Sequence, residues 1–500
     1  GFVETSSAAL LLGNGKAIST MASKGTSGTW LIDPTDFTIG SFPDGPTSAN
    51  SIDAGGLALN LKSNNVLIST QLSCSLDCGK GDIYINAPIE WISNRLTLSA
   101  YRNIYVNESL RASSGGSLSF YYGQGTSDGA GASYAVDPAA VIEVPLGPNG
   151  FTWRRGTDSA KILWGNASFS AGTDYPVVLD NGLFRAWYDS SVTPSVASAR
   201  YSFNGAGALQ QPSFLFGSTW GKLTYDKQPL EFAVGVGDGP LGWGLHSLIV
   251  DSSSSEILDP ASLNPASFHG LDINASKSRL DVSRYFEGTG TVKTTVEIHA
   301  LLPGDTPSPI ALGLINEYTL TENLPTVTIS ASVENRSASA VPNVRYWLGT
   351  SDDYLAGGAC TISCDAPGKQ RGSYGAGAPF APLASQSSAD NAIQLLQMEP
   401  LTNGSAGQVN ARKIVFYAKP SDGQMLSSAF DDFGYFHYAY DRNPADTTLD
   451  PSASPSVSAV SSGMGALDAS YAINAGYGIL GKDETRLTSF VIHNNSTAEV

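Results

Sequence analysis

Charge is scarce in this chain. Only 15% of its 500 residues are Asp, Glu, Lys or Arg, which excludes the Lys- and Glu-rich exterior of helix-dominated proteins. Cations are the scarcer sign, with 28 Lys and Arg against 45 Asp and Glu and a formal charge of −17. Such a balance repels nucleic acid and anionic membrane surfaces, so neither is an expected partner. No apolar run approaches the roughly 20 residues that span a bilayer, and Leu10-Leu11-Leu12 suffices for one strand at most. No membrane span is expected. No initiating Met and no basic stretch before an apolar one is present, so no signal peptide is legible. Gly1 enters a pattern already under way, as in an internal or processed piece of a longer exported protein.

Histidine and cysteine are also few. His246, His269, His299, His437 and His493 show no metal-ligand spacing, and we assign them no role. The four cysteines form two local pairs of equal spacing, Cys74 with Cys78 and Cys360 with Cys364. A bridge over three intervening residues fits a tight loop and adds at most about 2 kcal/mol. We read both pairs as loop disulfides; a shared four-cysteine zinc site or free thiols are the alternatives.

What the chain has instead is 53 Gly with abundant Ser, Thr, Asn and Ala, and 41% hydrophobic residues. The composition leans all-β, and the apolar content suffices for two cores. Trp30-Leu31-Ile32 reads as a buried strand stopped at Asp33-Pro34 before a second, Phe37-Thr38-Ile39, because proline fixes φ and removes a donor. Beyond Ile52 come short strands separated by Gly, Asn and Ser: Leu57 to Leu61, Val66 to Ile68, Ile83 to Ile85, Leu96 to Leu98 and Ile104 to Val106. Ile83 with Ile104, Tyr84 with Tyr105, Ile85 with Val106, Asn86 with Asn107 and Ile89 with Leu110 each stand 21 positions apart. Such a repeat, in which one rung cannot bury its own apolar face, predicts a parallel β-helix. Leu98 and Val106 then point inward, and Asn86 and Asn107 turn corners as stacked amides.

The stretch Gly1 to Ser6, the run Gly28 to Ile39, and the order Leu57 to Thr70, Gly81 to Trp91, Leu96 to Ala100 and Ile104 to Asn107 resemble the large secreted exoproteins of the filamentous-haemagglutinin family. The resemblance covers residues 1–123. It implies a bacterial-type secreted protein whose β-helix is a stiff shaft, and it implies no catalytic residues. That family's amino-terminal secretion domain is not visible here.

Residues 124–175 lose the beat and read as irregular terminal rungs, and Gly205 to Pro212 is the expected boundary. Beyond it strands lengthen. Thr291 to Leu302 sets Val292, Thr294, Val296, Ile298 and Ala300 on one face, with Lys293, Thr295, Glu297 and His299 on a solvent face. Thr326 to Val333, Val344 to Leu348, Ile414 to Ala418, Tyr435 to Tyr440 and Thr488 to Ile492 supply further strands, with loops over Ser373 to Asn391 and Asp450 to Gly463. The expected architecture is all-β: a parallel β-helix over 1–204, then an antiparallel β-sandwich over 213–500.

Chemistry-bearing motifs are sparse. Gly235 to Pro240 reads as a tight turn, since no helix follows it. The carboxylate pairs Asp352-Asp353 and Asp431-Asp432 read first as solvated turns, with calcium binding or acid–base catalysis as the alternatives; Asp352-Asp353 is the candidate calcium site, and no other cofactor is expected. Phe436, Tyr438 and Tyr440 share a strand face that reads as core or, if exposed, as glycan contacts. Arg102 and Arg111 have no repeated carboxylate partners of the kind a polysaccharide lyase needs. We therefore expect a non-enzymatic extracellular cell-surface protein, an adhesin binding glycans or proteins of host or neighbouring cells. The alternatives are a subunit of a self-assembling filament, bound to further copies of itself, and a polysaccharide-active enzyme such as a lyase.

Overall fold

The computed structural model describes residues 1–157 except 8, 11, 13–17, 23–24, 47, 73–78, 128 and 147–149. Beyond these it describes 179, 181–185, 207–209, 212–216, 219–223, 230–236, 244–251, 254–257, 271–273, 277–286, 289–302, 306–350, 370–374, 393–399, 412–419, 425–432 and 469–494. Strands dominate the described residues, with a single α-helix, so the protein is all-β. Among these residues no helix is long and apolar enough to cross a membrane. The chain forms two compact units: Gly1–Leu179 with Tyr188–Phe203 and Ser276–Thr294, and Asp180–Trp187 with Asn204–Ala275 and Thr295–Val500.

The first unit opens with β1 (Phe2–Ser6), β2 (Thr29–Asp33), β3 (Phe37–Gly40), β4 (Ser51–Asp53), helix α1 (Ala54–Leu61) and β5 (Asn65–Ser69). It continues with β6 (Ile83–Ile85), β7 (Ile89–Ser99), β8 (Ile104–Val106), β9 (Leu110–Tyr122), β10 (Tyr134–Val136), β11 (Val141–Pro145) and β12 (Phe151–Arg155). These strands pair in three parallel ladders. The first runs β1, β2, β5, the second half of β7, the second half of β9, and β12. The second runs β4, β3, β6, β8 and β10. The third joins the first halves of β7 and β9 to β11. Ile83 faces Ile104 and Ile89 faces Leu110, the 21-residue offset visible in the sequence.

Alternate side chains of each ladder point inward. Trp30, Ile32, Val66, Ile68, Leu96, Leu98, Leu118 and Phe120 are buried in the first, and Phe37, Ile39, Ile83, Ile85, Ile104 and Val106 in the second. At about 1.5–3 kcal/mol for each large apolar side chain, this stack is the chief stabilising term of the unit. Near its later rungs Phe120 meets Tyr134 and Phe151 edge-on, both at 5.3 Å between ring centroids.

Leu57 to Leu61 departs from the strand expected there and is the last part of α1. Apolar residues at every second position fit a strand, but Ala54, Leu57 and Leu61 also share one helical face, and that face is the buried one. Asp53 starts the helix, its Oδ2 accepting the Gly56 amide at 2.9 Å. Leu10 is likewise no strand residue; it is buried, and its amide donates to Asn50 Oδ1 at 2.7 Å. Asn60 Oδ1 accepts the Ile18 amide and Asn64 Oδ1 the Thr20 amide, so asparagines of and near α1 fasten the chain between β1 and β2.

The other end of the third ladder is covered by a strand from far along the sequence. Arg279–Phe286 pairs antiparallel with all of β11 and touches β10 at Ala135. Tyr285 stacks on Tyr134 at 4.9 Å. Burial, and then Glu143 across the pairing, push the Asp281 carboxyl above its ordinary range, against the pull of Arg279.

In the second unit the pairings among the described residues are antiparallel. One six-stranded sheet runs Ser254–Ile257, Gly244–Asp251, Glu231–Val236, Val341–Thr350, Ala469–Leu480 and Met425–Asp432. Another series runs Thr306–Leu320, Thr326–Asn335, Thr485–Asn494, Arg412–Lys419, Ile393–Glu399 and Gln370–Tyr374. Their inner side chains meet. Tyr346 lies 5.8 Å from Phe490 and donates to Asn316 Oδ1 at 2.9 Å, and the Tyr477 hydroxyl sits 3.1 Å from that of Thr488. Burial raises the pKa of Tyr318, Tyr346 and Tyr477, so all three stay protonated.

Candidate functional site

Ahead of three consecutive strands of the second ladder, β3, β6 and β8, stands a polar residue whose side chain engages the backbone at the start of the next strand. Asp36 Oδ1 accepts the Asp82 amide at 2.8 Å, Asp82 Oδ1 the Asn103 amide at 3.0 Å, and Asn103 Oδ1 the Ser133 amide at 2.9 Å. These residues precede β3, β6, β8 and β10, where the chain bends and would otherwise leave amides unpaired. An oxygen of Asp or Asn reaches the neighbouring rung because parallel strands stand about 4.8 Å apart.

Asp82 is the centre of this file. Its buried carboxylate takes a two-pronged contact from Arg102, Nε to Oδ1 at 2.8 Å and Nη2 to Oδ2, and the Tyr84 hydroxyl at 3.1 Å. Desolvation pushes the Asp82 carboxyl up, but the Arg102, Asn103 and Tyr84 hydrogen bonds outweigh it and hold the pKa below the usual range. The same contact raises Arg102. Burial, then the Asp82 charge, push Tyr84 up to about 12, so it remains a donor.

Just outside, Tyr84 and Tyr105 stack at 5.1 Å with planes 10° apart. Asn103 Nδ2 donates to the Tyr105 hydroxyl at 2.9 Å, fixing the second ring as Asp82 fixes the first. Thr38 and Ala135 stand in register on either side, so a half-exposed aromatic pair is bordered by small residues. At the opposite corner Asn107 Nδ2 donates to Asn86 Oδ1 at 2.7 Å, the amide stack expected there.

The two arginines each have carboxylate neighbours. Arg102 has a carboxylate partner, and Arg111 stands in register between Glu90 and Glu143. Asp82 precedes Arg102 by 20 positions and Glu143 follows Arg111 by 32, but Glu90 precedes Arg111 by 21, the offset of the repeat itself. The Asp82–Arg102 and Arg111–Glu143 relations are invisible until strands are aligned in space.

In the second unit, Thr295 and Glu297 are buried rather than on the solvent face. Glu297 Oε1 lies 2.9 Å from His299 Nε2 and its Oε2 accepts Arg336 Nη1 at 3.3 Å, while Arg336 Nε donates to Glu334 at 2.8 Å. Gly313 makes room for this ion network, since a Cβ there would stand 2.5 Å from Arg336 Nε.

Cys74, Cys78, Cys360, Cys364, Asp352, Asp353, Phe436, Tyr438 and Tyr440 lie outside the described residues. Among the described residues no group of three or more His, Cys, Asp or Glu is placed to hold a metal ion. The Tyr84–Tyr105 stack was signalled by the equal offset of the two tyrosines, but as a repeat and not as a surface.

No known protein family matches the chain, and no curated protein does. Among solved structures, a chain described as a kojibiose phosphorylase from human microbiome is similar at 8% identity and a TM-score of 0.25, over 63% of this chain and 29% of that one. A likeness this slight carries no argument about fold or activity.

Proposed function

We propose that the protein is a non-enzymatic extracellular surface protein used for attachment, in which a parallel β-helical shaft is followed by an antiparallel β-sandwich. The observation that carries this reading is the register of the three parallel ladders, in which rung after rung repeats one inward apolar pattern. Such a stack suits a stiff spacer. Its lateral face offers the Tyr84–Tyr105 pair, an amphipathic surface of the kind on which sugar rings rest.

Attachment is favoured over self-assembly because the β11 end of the third ladder is covered, by Arg279–Phe286. Covered edges do not template another copy. A lyase is disfavoured because Arg102 is spent on Asp82, whose carboxylate already accepts three partners. The partners on this reading are glycans or proteins of neighbouring or host cells.

Glycan-array and cell-binding measurements on the purified chain, with electron microscopy of the same sample, test it. The expected result is unassembled particles that bind, with binding weakened at least about tenfold in Tyr105→Ala. Regular filaments favour the assembly reading, release of unsaturated sugars favours a lyase, and either outcome defeats attachment.

A further inference from the structure

The Asp33-Pro34 bond that ends β2 carries the parts of an acyl-transfer site within a few atoms. Asp33 Oδ1 is shielded from solvent and has no hydrogen-bond partner among the described residues, while Oδ2 is held by Gln71 Nε2 at 2.6 Å. The Asp33 carbonyl oxygen accepts the Ser7 amide at 3.3 Å, a donor placed where negative charge develops when that carbonyl is attacked. Gln71 also donates its own amide to the Pro34 carbonyl at 3.1 Å, so one residue pins the carboxyl and the far side of the bond. The leaving nitrogen is that of a proline, a tertiary amide with no N–H to lose.

The geometry points to intramolecular scission of the chain between Asp33 and Pro34 in mild acid, with Asp33 as nucleophile. Oδ1 adds to the Asp33 carbonyl carbon and a five-membered cyclic anhydride forms. The carbon–nitrogen bond breaks, and its electron pair stays on the Pro34 nitrogen, which takes the carboxyl proton and departs as a secondary amine. Water then opens the anhydride and leaves Asp33 with a free α-carboxyl group. The sum is hydrolysis of one peptide bond by one water. Desolvation, and then the Glu4 carboxylate on β1, raise the Asp33 pKa, which keeps that proton available at milder acidity. Gln71, the side chain bonded to the carboxyl, is neutral, and among the described residues no Lys, Arg or His pairs with Asp33.

The chain contains its own control. Asp137-Pro138 is the same dipeptide, but Asp137 is exposed and its Oδ1 is occupied by the Ala139 amide at 2.9 Å. Its carbonyl oxygen also accepts an amide, from Ala140, so the two bonds differ chiefly in the freedom and shielding of the nucleophile. After scission at Asp33 the short fragment would stay in place, because Trp30 and Ile32 are buried and β2 is paired on both sides.

The test holds the folded chain at about pH 5, above the ordinary carboxyl range, and follows products by intact mass and amino-terminal sequencing. The expected result is a new terminus at Pro34 appearing at least about tenfold faster than one at Pro138, at a rate independent of protein concentration. Asp33→Ala abolishes that cut and leaves those at the other three Asp-Pro bonds, 137-138, 259-260 and 450-451, unchanged, while Glu4→Gln moves the pH profile of the first cut toward lower pH. Equal rates at the two bonds overturn the inference. So does a folded chain intact at Asp33 over a period in which the denatured chain is cut there.

Discussion

In the first unit, polar side chains stand in file along a corner and serve the backbone of the next rung, Asp36 to Asp82 to Asn103 to Ser133. In the second they lie between strands and serve one another, as Glu297 does with Arg336 and His299, or Tyr346 with Asn316. One composition supports both. A parallel stack repeats the same unmet amide at every corner, so one residue type solves the problem many times. Antiparallel strands satisfy their backbone by pairing, and their polar side chains instead fill gaps between faces, where each must find its own partner. Damage to the file should therefore be local and mild, and damage to the interior network costly.

The apolar stack is where the first unit is least tolerant. Leu98 is fully buried, so Leu98→Asp should cost on the order of several kcal/mol and lower the melting transition of that unit while sparing the other. A neutral result in calorimetry would mean that the ladders do not carry its stability. Next in size is Arg336→Met, which leaves the buried Glu297 without its cation. Breaking such a pair costs about 3 kcal/mol, and chemical denaturation should show the loss in the second unit alone.

Acid should separate the units more gently. His493 is partly buried, its Nδ1 2.6 Å from the Thr326 hydroxyl, and desolvation lowers its pKa from the ordinary 6.5. A base depressed by folding contributes stability above its unfolded pKa and loses it as pH falls through the folded one, so the second unit should weaken as pH drops below 6.5. The depressed carboxyl of Asp82 keeps its contribution down to its ordinary 3.8 and loses it only below that. Melting curves across this range should show the second unit responding first, and His493→Phe should remove that early response. The smallest effect belongs to the corner amides. Asn107→Ser breaks one exposed hydrogen bond to Asn86 and should cost about 0.5 kcal/mol; a larger loss in thermal unfolding would show that the corners bear load.

The sequence by itself determined the all-β character, the 21-residue register, the inward Leu98 and Val106, the break at Asp33-Pro34 and the amide stack, because each depends on neighbours a fixed number of residues away. A repeated contact writes its period into the chain. Helix α1 was hidden because Leu57, Leu59 and Leu61 satisfy strand and helix patterns alike, although Asp53 three residues before Gly56 was the signal that could have decided it. Only the tertiary structure decided the covering of β11 by Arg279–Phe286, the pairing of Arg102 with Asp82 and of Arg111 with Glu143, and the burial of Glu297 with Arg336. Those contacts join residues at separations that never recur, so no periodicity announces them. Alternation along a strand tells which residues share a face, but whether that face meets water depends on what packs against it, and in both units that is chain from elsewhere.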